Sequence, residues 1–184
     1  VMYAFGEDKT LAQGASKAIS ANLKYANGPL LVSGGYQSEG VALNQITGAK
    51  PALENTLLSV SYDLGVAKIG AGFNRAKYKD VTLAAGNALG AGAIDPQKEV
   101  SLSVSVPLGA TTLSAGYAQS KGDTLGKSTG FGIQALYALS KRTTLYTGVA
   151  SSKTYDRLAA ATVTVPGSNI DRNTQYALGV RHTF

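Results

Sequence analysis

Side-chain character alternates with a period of two along most of this chain, which constrains it to β-structure. The clearest stretch is the last one. Tyr176, Leu178, Val180, His182 and Phe184 share one parity; Gln175, Ala177, Gly179, Arg181 and Thr183 share the other. A period of two places each parity on one face of a strand, so one side is apolar and the other small or polar. Ten such segments are expected, over residues 1–6, 15–26, 29–37, 54–63, 66–78, 98–107, 110–120, 129–139, 143–153 and 173–184.

The two faces stay distinct from segment to segment. One carries Ile19, Leu23, Tyr25, Val32, Tyr36, Leu58, Val60, Tyr62, Ile69, Phe73, Val100, Leu102, Val104, Leu113, Tyr117, Phe131, Ile133 and Tyr137. The other carries Ser20, Asn22, Lys24, Ser33, Ser59, Ser61, Lys68, Asn74, Ser101, Ser103, Ser105, Ser114, Gln134 and Arg181. Connections alternate in length. Short ones are expected at Asn27-Gly28, Asp63-Leu64-Gly65, Pro107-Leu108-Gly109 and Ser140-Lys141-Arg142, the first a hairpin signal because both residues tolerate positive φ. Long ones are expected near 7–14, 38–53, 79–97, 121–128 and 154–172. A soluble sandwich with Greek-key crossings need not alternate in this way, whereas a transmembrane barrel has short turns on one side and long loops on the other.

Composition excludes several classes and leaves that choice to pattern. Mean hydropathy is +0.01, and no apolar run approaches the roughly 18 residues of a spanning helix. Both a soluble β protein and a barrel, in which only alternate residues meet lipid, satisfy this. There is no cysteine, so disulfides and thiolate metal sites are excluded. The formal charge is +6, but the basic residues are scattered and form no stripe or nucleic-acid motif. Gly86 to Gly92 lacks the strand–loop–helix context and the Lys of a phosphate loop and reads as an external loop. The chain opens inside an apparent strand with no signal peptide, as expected of a mature C-terminal portion.

Aromatic positions favour the membrane over a sandwich core closed at its ends by rings. Tyr25, Tyr62, Tyr137 and Phe184 fall on the apolar face near short turns or the terminus. Tyr36, Phe73, Tyr117, Phe131 and Tyr176 fall on the same face near long connections. These are two belts, as amphipathic rings form at the two interfaces of a bilayer. The fold class expected is therefore all-β, a transmembrane antiparallel up-and-down barrel, with residues 1–184 forming a single barrel domain.

The chain resembles the C-terminal half of the Gram-negative general diffusion porins, especially the β-proteobacterial branch. The similar stretches are VMYAFGE (1–7), LKYANGPL (23–30), SVSYDLG (59–65), GIQALYALSKR (132–142) and YALGVRHTF (176–184). The resemblance implies the last ten of sixteen strands of a trimeric outer-membrane barrel that passes ions and small hydrophilic solutes. It also implies recognition of the last strand, through Tyr176, Leu178, Val180 and Phe184, by the barrel-assembly machinery. The inward-folded constriction loop would lie in the N-terminal strands outside this chain.

A passive pore selects through the charges lining it. By parity the inward basic candidates are Lys24, Lys68 and Arg181, which would favour anions weakly; solvated wall charges without net effect are the alternative. Arg75, Lys77, Lys79, Lys121, Lys127, Lys153 and Arg157 are expected near loop ends, solvated or against lipopolysaccharide phosphates. The one histidine, His182, points outward at the lower interface without a catalytic partner. No enzyme activity, cofactor, metal or nucleic-acid partner is expected. The competing functions are a complete ten-stranded barrel acting as adhesin or enzyme, and a soluble β-sandwich binding module.

Overall fold

A computed structural model describes residues 1–5, 17–40, 46–47, 51–83, 92–157 and 172–184. Its strands are β1 (Met2–Ala4), β2 (Ala18–Asn27), β3 (Leu30–Gly40), β4 (Ile46–Thr47), β5 (Ala52–Asp63), β6 (Lys68–Lys79) and β7 (Thr82–Leu83). They continue with β8 (Gly92–Ala93), β9 (Gln97–Leu108), β10 (Thr111–Gly122), β11 (Gly126–Ala138), β12 (Thr143–Lys153) and β13 (Arg172–His182). Ten of them form one sheet in the order β1-β2-β3-β5-β6-β9-β10-β11-β12-β13, antiparallel throughout. Sequence neighbours are sheet neighbours, so the chain is a partial up-and-down barrel.

Two loop expectations change. β4, β7 and β8 make a small second sheet inside the connections expected over 38–53 and 79–97. Each is two residues long, too short for any period to show. The connection expected over 121–128 is a three-residue turn at 123–125, because Lys121↔Lys127 and Gly122↔Gly126 remain paired. Charged and glycine pairs extend that hairpin without adding apolar alternation. The glycine-rich run, apart from Gly92, and residues 7–14 lie outside the described residues.

Tight turns close the other end. Asn27 pairs with Leu30 and Leu108 with Thr111, so the loops are Gly28-Pro29 and Gly109-Ala110. Gly28 has φ +53° and Gly109 φ +62°. Positive φ at the first loop position followed by a residue with negative φ is the pattern of a type II′ hairpin, and Pro29 supplies that negative φ through its ring. The turn thus sits one residue beyond the Asn27-Gly28 expected. Asp63 Oδ1 accepts from the Gly65 N–H at 2.8 Å, and Ser140 Oγ accepts from the Arg142 and Thr143 N–H groups at 3.1 Å.

There is almost no conventional core. Among the described residues Val81 and Pro51 are the buried apolar side chains, while Leu23, Tyr176 and Leu178 are about four-fifths exposed. The apolar parity forms the exposed outer surface and the small polar parity the inner one. A surface this apolar would aggregate in water; in lipid it is the solvated side.

The two aromatic belts measure the strand tilt. From Tyr36 the cross-strand row runs through Thr56, Arg75, Lys98 and Lys121 to Lys127 on β11. The belt residue of β11 is Phe131, four residues further along after five strand steps. From Tyr25 the row runs through Val32, Val60, Ala71, Leu102 and Tyr117 to Phe131. The lower-belt residue of β11 is Tyr137, six residues further along after six steps. About one residue of shift per strand, at roughly 3.3 Å along and 4.8 Å across, means a tilt of about 30–35°, as a barrel requires.

Ile133 lies outward on β11 between the belt residues Phe131 and Tyr137, and Gln134 is its inward neighbour. Ile133→Lys is expected to cost ~2–4 kcal/mol in denaturant unfolding from lipid vesicles. Gln134→Lys should stay within about 0.5 kcal/mol of the parent.

Candidate pore wall and upper rim

The inner face is built from serine and glycine in register. Ser33 and Ser59 hydroxyls meet at 2.7 Å across β3–β5, and Ser105 and Ser114 at 2.9 Å across β9–β10. On β6, a Cβ at Gly70 or Gly72 would come within 2.7 Å of Ser103 Oγ or 2.6 Å of Ser101 Oγ. The serines of β9 therefore lean over bare β6 backbone, and a groove of about 270 Å³ runs there between Ser59, Ser61, Ser101 and Ser103. A second groove of about 430 Å³ crosses β10–β13 past Ser114, Gln134, Tyr146 and Gln175. Tyr146 lays its ring against Gly179 on the neighbouring strand, leaving no room for a side chain there. Hydroxyls, amides and exposed backbone make this wall wettable and uncharged at mid-height.

Charge sits lower. Lys24 shares a row with Ser33 and Ser59, Lys68 lies opposite Asp63 and Ser105, and Arg181 lies opposite Thr144. All three cations are exposed on the serine-bearing face, near the level of the lower belt. The sheet does not bring them together: they stand on β2, β6 and β13. Asp63 directly across from Lys68 offsets part of that residue's field.

On the outer face Tyr25, Tyr36, Tyr62, Phe73, Tyr117, Phe131 and Tyr137 are all exposed, as are Tyr176, Leu178, Val180 and Phe184 on the edge strand and terminus. His182 Nδ1 lies 2.9 Å from Thr143 Oγ1, and its ring stacks edge-on against Phe184 at 4.8 Å. Arg75, Lys121 and Lys127, expected near loop ends, are paired strand residues on this outer face.

The upper rim was not legible beforehand. After β12 the chain turns back over the β10–β11 hairpin. Tyr155 Oη donates to Ser120 Oγ at 2.9 Å, Asp156 Oδ1 accepts from the Lys127 N–H at 2.8 Å, and the Arg157 guanidinium donates to the Asp123 carbonyl. From the other side, the Asp95 N–H donates to Thr124 Oγ1 at 2.9 Å, and that hydroxyl donates back to Asp95 Oδ2 at 3.0 Å. Beneath these straps Gln97 is 5% exposed with neither amide atom hydrogen-bonded, and Ser120 is 7% exposed. None of these contacts has a sequence signature, because each joins residues 29 or more positions apart.

Comparison with known proteins bears on identity. The family model for Gram-negative porins matches residues 1–157. The chain belongs to that family. Porins of this kind are outer-membrane barrels, which sets the location as the bacterial outer membrane. Among solved structures, an anion-selective porin from Comamonas acidovorans aligns with a TM-score of 0.71 at 23% identity, covering 99% of this chain and 54% of that one. A porin refined at 1.8 Å aligns at 0.61 and 20% identity, covering 92% and 52%. OmpT of Vibrio cholerae, in a trimer form, aligns at 0.58 and 16% identity, covering 91% and 56%. These likenesses establish the porin barrel fold, and this chain spans about half the length of each. No curated protein matches the chain.

The rim straps give a pH prediction. The Lys127 N–H holds the Asp156 carboxyl below its ordinary value of 3.8; partial desolvation opposes this, while the Arg157 N–H and the charges of Lys153 and Arg157 reinforce it. A lowered carboxyl value means the strap is fully formed above the ordinary value and lost as pH falls through the lowered one. Amide protection of Lys127 and Arg157, corrected for intrinsic exchange, should fall below about pH 4. In Asp156→Asn it should be low at every pH.

Proposed function

We propose that this chain forms the ten-stranded part of the wall of a water-filled pore, a channel and not an enzyme, that lets ions and small hydrophilic solutes diffuse across the outer membrane. One observation carries the reading: the apolar side chains face outward in one band edged by two aromatic belts, while serine, glycine and glutamine line the inside. The outer edges of β1 and β13 have no partner strand among the described residues, and unpaired backbone groups in hydrocarbon cost several kcal/mol each. We place the remaining strands of a sixteen-stranded single-domain barrel between those edges.

The finer reading is weak anion preference, with Lys24, Lys68 and Arg181 as the lower-wall cations. The anion-selective Comamonas porin supports it by fold, and the scarcity of inward carboxylates at that level supports it by charge. Asp63 opposite Lys68 is the reason for expecting the preference to be weak. We also propose a homotrimer, in line with the trimer form of the Vibrio protein, and recognition of β13 by the barrel-assembly machinery.

Two measurements test this. In a planar bilayer with a salt gradient, the full protein should show a small reversal potential of anionic sign. Changing Lys24, Lys68 and Arg181 together to Gln should move it toward zero, and an unchanged potential removes these residues from selectivity. Deleting Phe184 should lower the yield of heat-modifiable folded trimer in cells severalfold, and normal yield counts against the terminal aromatic as an assembly signal.

A further inference from the structure

The groove across β10–β13 holds groups that a plain water-filled pore does not need. Its floor is bare. Gly116, Gly132 and Ala150 follow one another along one cross-strand row of β10, β11 and β12, and Gly148 and Ala177 continue the adjacent row on β12 and β13. Around that floor stand Ser114, Gln134, Tyr146 and Gln175. Among the described strands Tyr146 is the one inward ring between the two aromatic belts. It lies down over Gly179, because glycine leaves open the space that a Cβ would fill. Leu145 beside it pairs with lower-belt Tyr137, and Gln175 is next to upper-belt Tyr176. The groove therefore runs along the depth of the wall, in the direction a solute travels.

The chemistry of these groups narrows the solute. A glutamine amide both donates and accepts hydrogen bonds. Gln134 and Gln175 are exposed, and neither amide is hydrogen-bonded to a described residue. The Tyr146 ring adds an apolar, electron-rich face. No charged side chain of the described residues lines the groove; Arg181 stands two positions beyond Gly179, outside it. An anion thus finds no partner charge here, and a purely apolar solute would leave the amides unpartnered. A volume of about 430 Å³ is within the roughly 300–1,000 Å³ range of small-molecule sites. Gln134 and Gln175 are two strands and two residues apart. At roughly 4.8 Å per strand and 3.3 Å per residue that is about 12 Å, a span for a solute of two rings.

We propose that Gln134, Tyr146 and Gln175 form a binding site for a neutral saccharide, of the size of a disaccharide, on the inner wall. A sugar has an apolar C–H face and a rim of hydroxyls. The C–H face stacks on Tyr146, the hydroxyls bond to the two amides, and the glycine and alanine floor lets the rings come close to the wall. The proposal rests on the reading that the inner face lines a water-filled lumen, and names a solute that the lumen holds on its way through. Retention is weak, since a permeant must also leave.

The test uses the full protein in planar bilayers, with sucrose as the probe and glycerol as a small-polyol control. Sucrose should block the ion current of the wild type saturably, with its half-effect in the millimolar range. Glycerol should lower the current only in proportion to bulk conductivity. Tyr146→Ala should weaken the sucrose block roughly threefold to tenfold, while Tyr146→Phe, which keeps the ring, should hold it within about twofold. Gln134→Leu combined with Gln175→Leu should weaken it on the order of tenfold. That pair leaves the seat of Tyr146 on Gly179 untouched, so it decides the matter if Tyr146→Ala does not fold. Conductance without sugar and heat-modifiable migration should be unchanged in each variant. Saturation-transfer NMR on the detergent-solubilised protein needs no conduction. Sucrose C–H protons should receive saturation from the wild type and Tyr146→Phe, and much less from Tyr146→Ala. Such transfer in a protein that does not conduct would keep the site and remove the pore reading. Equal block, or equal transfer, in the wild type and the altered proteins overturns the site. So does stronger transfer to phenol than to sucrose, which would make the groove an apolar slot.

Discussion

Every feature of this molecule depends on the obligation to satisfy backbone N–H and C=O groups where there is no water. In hydrocarbon an unpaired peptide group costs several kcal/mol, so strands must be long, continuous and paired on both sides. The large sheet meets this with unbroken antiparallel register from β1 to β13. Once the backbone is satisfied by its neighbours, the side chains are free to serve two solvents. The outward parity dissolves in lipid and the inward parity in water. The near-absence of buried apolar side chains follows from this: the stabilising burial happens against the membrane.

The inner wall follows from the same pairing. With strands locked in register, the width of the lumen at each point is set by what projects from each row. Gly70, Gly72 and Gly179 project nothing, so Ser103, Ser101 and Tyr146 fold down onto bare backbone instead of standing into the lumen. Serines that pair across strands satisfy one another while leaving lone pairs for water. The wall is thus smooth and wet over its middle, and its charge is confined to the lower end and the rim.

The fold was legible in the sequence because a half-buried strand in lipid obeys a simple rule. Tyr176 to Phe184 alternates without error, and the aromatic positions recur at two heights. Hairpin ends were legible to within a few residues, as at Gly28, where proline moved the turn by one. What failed to show was structure without alternation. β4, β7 and β8 are two residues each, and the top of the β10–β11 hairpin is made of lysine, glycine, serine and threonine, which read as loop. The rim straps from Tyr155, Asp156, Arg157 and Asp95 depend on where distant segments meet, which no local pattern reports. The cross-strand row Arg75, Lys98, Lys121 and Lys127 is the instructive case. Three of these cations were visible singly, but only the register showed that they are neighbours and that Lys98 joins them.

Because the strands slant, rank in the ladder and depth in the bilayer are different coordinates. Tyr25 and Tyr117 lie in one cross-strand row yet belong to opposite faces of the membrane. A slip of one residue between neighbouring strands turns lipid-loving side chains into the lumen and is rejected on polarity alone. A slip of two residues keeps every side chain on its proper face and escapes that check. It would, however, carry the strand's anchoring ring some 6 Å out of its plane. The tyrosines and phenylalanines thus act as a vernier during folding, detecting the class of misalignment that alternation cannot see.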